Sequence, residues 1–149
     1  MAVNKGSAEI GKVYKGINQI GKIYRGSALI YQAQSDTYTI TAAAQYDGTT
    51  VTSGKITNTE NYEKMVIESV SCSGGNYGEN RARLYCNGVC IKDTGVVDVG
   101  AFHTAVYSWD GTFAIAQNGQ VYVDVYTDKD ENRDDGQDAV SVTVKFHFE

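Results

Sequence analysis

The densest set of metal-ligating groups in this 149-residue chain is the run Asp128-Lys129-Asp130-Glu131-Asn132-Arg133-Asp134-Asp135-Gly136-Gln137-Asp138. Oxygen ligands fall at every second position, on Asp128, Asp130, Asn132 and Asp134. Calcium loops use this spacing to turn alternate side chains toward one ion. The glycine comes late, however, at Gly136, and the closing bidentate acid is missing. Lys129 and Arg133 can neutralise the run without a metal. A solvated hairpin loop is therefore the leading reading and calcium the competing one. No cofactor is expected, with calcium as the alternative.

Other reactive side chains are few. Cys72, Cys86 and Cys90 are odd in number, which does not suit a disulfide framework. Asn87-Gly88 is a two-residue hairpin signal, and it opposes Cys86 to Val89 and Tyr85 to Cys90. The two cysteines then point to opposite faces, which disfavours a Cys86–Cys90 bridge. A zinc site would need a fourth ligand, for which His103 is the candidate, and buried free thiols are the expectation. His103 reads as a strand residue. His147 lies out of phase with the apolar set of its strand and should face solvent. No serine sits in a nucleophile elbow, and Ser73-Gly74-Gly75-Asn76-Tyr77-Gly78 is not a phosphate-binding loop. The acids are numerous, but no pair stands out for glycoside hydrolysis. A non-enzymatic protein without catalytic residues is expected. Tyr77, Tyr107 and Trp109 are the aromatics that would stack on a sugar if the chain were a glycan-binding module.

The elements that must position these groups read as strands. Sixteen Gly, eleven Tyr and no Pro, with Val, Thr and Ile plentiful, favour strands and tight turns. Alternation predicts strands at Thr37–Thr41, Val51–Ile56, Arg81–Cys86, Val89–Lys92, Ala101–Trp109, Thr112–Gln117, Gln120–Thr127 and Ala139–Phe148. Tyr62–Ser71 could start as a helix after Asn58-Thr59-Glu60. Its β-branched run Met65-Val66-Ile67-Glu68-Ser69-Val70 makes a strand the better reading. Short strands at this spacing predict an all-β protein, with an antiparallel β-sandwich or jelly-roll-like domain over residues 33–149.

Residues 1–32 are different in kind. Ile10-Gly11-Lys12-Val13-Tyr14-Lys15-Gly16 recurs as Ile20-Gly21-Lys22-Ile23-Tyr24-Arg25-Gly26, and a third copy closes at Leu29-Ile30-Tyr31. Each ten-residue unit reads as one strand and one turn, and the set as a small meander. Such units cannot bury a core alone, so they must pack on each other or on a neighbour. Apolar groups on both faces make Ile10, Val13, Tyr14, Ile20, Ile23, Tyr24, Ile30 and Tyr31 the expected anchoring and oligomerisation residues. The segment carries a net charge of +4, against −9 for the remainder of a chain whose total is −5. Lysines in a regular apolar and aromatic pattern favour docking onto an acidic protein surface over nucleic acid. No apolar run is long enough to span a bilayer. The N-terminus lacks a secretory leader, so synthesis in the cytoplasm without a membrane partner is expected.

The repeats Ile10–Gly16 and Ile20–Gly26, closed by Ala28-Leu29-Ile30-Tyr31, resemble the N-terminal segments of bacteriophage virion appendage proteins of the head-fibre, tail-fibre or decoration type. The resemblance covers about the first 32 residues. It implies a virion location and attachment to other virion proteins of capsid, neck or tail. It also implies a displayed C-terminal β domain and a homo-oligomer, most often a trimer. Host attachment through a surface glycan is the alternative function.

Overall fold

The computed structural model describes residues 4–5, 8–9, 14–15, 18–19, 22–25, 27–32, 34–45, 49–74, 78–129 and 139–149. The N-terminal strands are β1 (Asn4–Lys5), β2 (Ala8–Glu9), β3 (Tyr14–Lys15), β4 (Asn18–Gln19), β5 (Lys22–Arg25) and β6 (Ala28–Gln32). After them come β7 (Tyr38–Ala44), β8 (Thr49–Thr52), β9 (Ile56–Thr57), β10 (Lys64–Gly74), β11 (Gly78–Cys86), β12 (Val89–Asp93) and β13 (Val97–Asp98). The helix α1 (Val99–Tyr107) precedes β14 (Thr112–Ala114), β15 (Gln120–Lys129) and β16 (Val140–Phe148).

Each ten-residue repeat is a hairpin of its own, which corrects the expectation of one strand per repeat in a continuous meander. Strand β1 pairs with β2, β3 with β4 and β5 with β6, as three separate two-stranded sheets. The registers Lys5↔Ala8, Lys15↔Asn18 and Arg25↔Ala28 leave two residues between the paired positions. In each case the first of the two is glycine by sequence, Gly6, Gly16 or Gly26.

Two larger antiparallel sheets make the rest. One has the order β14-β10-β16-β7, and the other β12-β11-β15-β8 with β13 and β9 added alongside β11 and β15. If the short β9 and β13 are set aside, eight strands remain in chain order. The first pairs with the eighth, the second with the seventh, the third with the sixth and the fourth with the fifth. The chain is thus one long hairpin, nested about Asn87-Gly88 and rolled into two layers. This is a jelly roll.

Period-two patterning fills the space between the layers. Val121, Val123 and Val125 of β15 face inward with Ala82, Leu84 and Cys86 of β11. Opposite them lie Ile40, Ala42 and Ala44 of β7 and Val140, Val142, Val144, Phe146 and Phe148 of β16. Strand β10 joins this core in two phases. Met65 and Ile67 face inward, a bulge intervenes between Ile67 and Ser69, and Val70 and Cys72 then take over the inner face. The extra residue restores the phase that strict alternation would have lost.

The segment expected as a strand at Ala101–Trp109 is the helix α1, Val99–Tyr107. Phe102, Val106 and Trp109 recur at helical rather than alternating spacing, and all three are buried. The helix packs on β10 and β11, along the stretch of β10 that the three-residue β14 does not reach. Strand β14 is accordingly shorter than the Thr112–Gln117 expected from sequence. Among the described residues no helix is long and apolar enough to cross a membrane.

Candidate functional site

The two ends of the jelly roll are built differently. At one end Ser35 N–H donates to the Phe148 carbonyl at 2.8 Å, and Phe148 N–H donates to Ser35 Oγ at 2.8 Å. The chain therefore enters the sandwich beside the place where it leaves. Asparagines close this proximal end. Asn58 is fully buried and donates through Nδ2 to the carbonyls of Tyr62 and Ala116, at 2.9 and 3.1 Å. Asn87 (φ 54°) and Gly88 (φ 77°) make the tight turn of the central hairpin. Asn87 also donates to the Ala114 carbonyl and accepts from Ala116 N–H. A side chain at Gly119 would collide with Asn87 Oδ1 and the Ala116 carbonyl, so glycine is required there.

The opposite, distal end is where β7 leads to β8, β10 to β11 and β15 to β16. The registers Val140↔Ala44, Gly74↔Val140, Gly78↔Lys129 and Thr127↔Thr49 bring the flanks of these three connections together. Tyr77 falls by sequence in the second connection, and Asp130, Asn132 and Asp134 in the third. All four lie outside the described residues. Asp128 belongs to β15 and pairs with Glu79, so the strand runs into the stretch expected as loop. Among the described residues no group of three or more His, Cys, Asp or Glu side chains is disposed to hold a metal.

Of the remaining aromatics expected to meet a glycan, Tyr107 is 58% exposed, and its hydroxyl donates to the Cys72 carbonyl at 3.3 Å. Trp109 is 5% exposed. That corrects its assignment as a surface stacking residue, because the helical spacing turns it into the core with Phe102 and Val106. Of the anchoring residues, Ile10, Val13 and Ile20 lie outside the described residues. Tyr14, Tyr24, Ile30 and Tyr31 stand in β3, β5 and β6, and Ile23 of β5 is half-buried. From the same hairpin Lys22 Nζ reaches Glu63 Oε1 at 2.7 Å and holds that carboxyl below its ordinary range. This ion pair ties the third repeat to the proximal end.

The outer face of the β12-β11-β15-β8 sheet carries a constellation that the sequence reading did not single out. Arg83 pairs with Asp124 through two bonds of 2.9 and 3.0 Å, and Arg81 pairs with Asp93 through bonds of 3.0 and 2.6 Å. Tyr85 and Tyr122, opposed across β11 and β15, stack at 4.7 Å with planes 8° apart. Lys55 Nζ lies 4.8 Å from the centre of the Tyr122 ring. Arg83 sits 5.7 Å from that of Tyr85. Hydrogen bonding to Asp124 pushes the Arg83 pKa up, and that to Arg81 holds Asp93 below the usual carboxylate range. Burial raises the Tyr85 pKa, and the Asp124 charge adds to the shift. Each Tyr turns one ring face toward the other, so the pair is a rigid support with little ring face left for a sugar.

The cysteines and histidines divide by position. The Asn87-Gly88 turn opposes Tyr85 to Cys90 and Cys86 to Val89, as read from sequence. Cys86 is buried, and that burial pushes its thiol up to about 11. Cys72 is half-buried. Cys90 is exposed, a correction to the expectation of three buried thiols, because the odd-numbered face of β11 is the outer one. The Cys72 thiol lies 3.9 Å from the main-chain carbonyl of His103. His147 faces outward as expected, but its side chain is only 12% exposed. Its Nδ1 lies 2.8 Å from Glu68 Oε1, and its Nε2 3.5 Å from Glu149 Oε1.

No family model matches the chain, and no curated protein matches it. Among solved structures it is similar to one titled "Structure of infectious bursal disease virus Gt strain". The two are 12% identical with a TM-score of 0.36, over 88% of this chain and 42% of that chain. The chain thus spans less than half the length of the chain it overlaps.

Proposed function

We propose that this protein is a non-enzymatic structural component of a virus particle. In this reading it attaches through residues 1–32 and displays the jelly roll formed by residues 33–149. The observation that carries the reading is the division of labour along the chain. Every core residue whose side-chain burial is described lies between Ile40 and Phe148. Among the described residues the hairpins β1–β2 and β3–β4 pair with no other strand. A two-stranded hairpin is marginal in water by itself, so these repeats require a surface that the sandwich does not supply. Other copies, or a neighbouring virion protein, would provide it.

The resemblance of the repeats to phage appendage proteins narrows the proposal to a fibre, decoration, neck or tail component of a bacteriophage virion. Polarity supports the same reading. The N-terminal segment joins at the asparagine-closed proximal end, so the connections at the distal end point away from the anchor. The test is deletion of residues 1–32. Loss of incorporation into particles, with the β-sheet melting transition retained, is expected. Normal incorporation of the shortened chain refutes the anchor assignment.

Host glycan binding is the second reading, favoured by the exposed ring of Tyr107 and by the position of Tyr77 in a distal connection. Tyr107→Ala and Tyr77→Ala should each weaken adhesion to host cells by about tenfold if either ring stacks on a sugar, since one such contact contributes about 1–2 kcal/mol. Unchanged adhesion in both variants removes this reading.

A further inference from the structure

Among the described residues the two larger sheets have four edges with no further strand paired to them, and three carry devices that discourage pairing. Strand β14 has three residues. Strand β12 is bulged between its pairings with Leu84 and Tyr85, and it carries Lys92 and Asp93. Strand β8 has four residues and is followed on the same edge by the two-residue β9. Short strands, bulges and charges are the usual protections of an edge. Strand β7 has none of them. It runs seven residues, Tyr-Thr-Ile-Thr-Ala-Ala-Ala, in unbroken register with β16 and without a charge, glycine or proline.

The hydrogen-bonding direction of β7 follows from its neighbours. Lys64 and Glu149 exchange N–H···O bonds of 3.0 and 2.9 Å, so the main-chain groups of Glu149 face β10. Those of Phe148 face the other way, toward Ser35. By alternation Phe146, Val144 and Val142 bond to their partners Tyr38, Ile40 and Ala42. The N–H and C=O groups of Thr39, Thr41 and Ala43 then project from the free edge. Among the described residues no strand pairs with them.

The geometry points to β7 as a self-pairing edge. Two copies of this chain add β7 to β7, antiparallel, about a two-fold axis at Thr41. Thr39 then opposes Ala43 of the second copy, and Thr41 opposes its own equivalent. Two observations select a second copy as the occupant. An uncharged strand meets itself without opposing like charges. In addition, only residues 33–37 separate β7 from β6. That tether reaches roughly 17 Å at full extension. Copies gathered at their repeats therefore hold their β7 edges at high effective concentration. The inference rests on the reading of residues 1–32 as an assembly segment. A two-fold contact closes on two copies, whereas a trimer joined by the repeats leaves the edges unpaired.

The test uses the full chain with Cys90→Ser, carrying either Thr41→Cys or Thr39→Cys, under mild oxidation. Opposed residues in a hydrogen-bonded antiparallel pair sit about 5.5 Å apart at Cα, within disulfide range. Thr41→Cys should give a covalent dimer in most of the sample, and Thr39→Cys almost none. Thr41→Lys alone should weaken the dimer in sedimentation, and an equal mixture of Thr41→Lys and Thr41→Glu chains should restore it. Equal cross-linking at both positions overturns the pairing. So does a trimeric mass, or an oligomer that Thr41→Cys fails to cross-link. Those results leave the assembly reading standing. A full chain that stays monomeric at tens of micromolar overturns the pairing as well, whereas the assembly reading falls only if the chain without residues 1–32 still enters particles.

Discussion

Replacement of Asn87 by alanine tests whether one turn holds the nested hairpin closed. Asn87 has φ of 54°, and its side chain bonds Ala114 O at 3.2 Å and Ala116 N–H at 3.3 Å. Alanine in the left-handed region costs about 1 kcal/mol more than asparagine, which tolerates it. The two side-chain bonds are long and exposed, so each contributes about 0.5 kcal/mol. The total is about 2 kcal/mol, or a melting temperature lower by roughly 4–8 °C for a chain of this size. Asn87→Gly keeps the backbone freedom and loses only the side-chain bonds, so it should cost about half as much. Urea unfolding followed by the fluorescence of Trp109, the sole tryptophan and a buried one, measures both. Equal losses for Ala and Gly would refute the backbone part of the argument. A loss below about 0.5 kcal/mol for Ala would refute all of it.

Asp124→Asn should destabilise the sandwich by about 2 kcal/mol, because it strips the charge from a two-bond pair and leaves Arg83 partly buried without its counter-ion. A double-mutant cycle with Arg83→Leu that shows no coupling would refute this. Asp93 has its pKa depressed by Arg81, so its contribution is full above the ordinary carboxylate value and is lost as pH falls through the depressed one. The melting temperature should therefore fall more gently below about pH 4 in Arg81→Gln than in the parent, and parallel curves would count against the linkage. Tyr14→Asp with Tyr24→Asp should abolish assembly and leave the main melting transition unchanged; assembly that persists would put both rings in solvent. Millimolar calcium should leave that transition unmoved if the Asp128–Asp138 run is a solvated loop. A rise with calcium but not magnesium, lost in Asp130→Asn with Asp134→Asn, would assign the run to calcium instead.

Local signals in the sequence carried most of the sandwich. The Asn87-Gly88 pair specified the central hairpin and its register, and the alternation of Val140 through Phe148 specified an inner strand. Two failures share a cause. Phe102, Val106 and Trp109 mark a helix only when their spacing is weighed against alternation over the same window. Glu68 interrupts β10 with a bulge whose effect is visible only beside β16. The constellation on the outer face escaped for another reason. Arg83 and Asp124 are 41 positions apart, and their meeting depends on the pairing of β11 with β15. With that pairing known, Arg81, Arg83 and Tyr85 align with Tyr126, Asp124 and Tyr122, and the face becomes legible. The glycines of the N-terminal repeats were visible at once. That each repeat folds back on itself was not, because period alone does not say whether a unit holds one strand or two.

The nested topology also sets a timetable. Strand β7 is the first strand of the roll to leave a ribosome and β16 the last, yet each is the other's neighbour in the finished sheet. At typical synthesis rates about a hundred residues separate them by roughly 5–20 seconds. Through that interval β7 has neither of its edges occupied and the core cannot close. The ten-residue hairpins, whose contacts are local, form on a far faster clock. The nascent chain can thus make its local hairpin contacts while the roll is still open. On the proposed function, the attachment segment is available before the last strand exists.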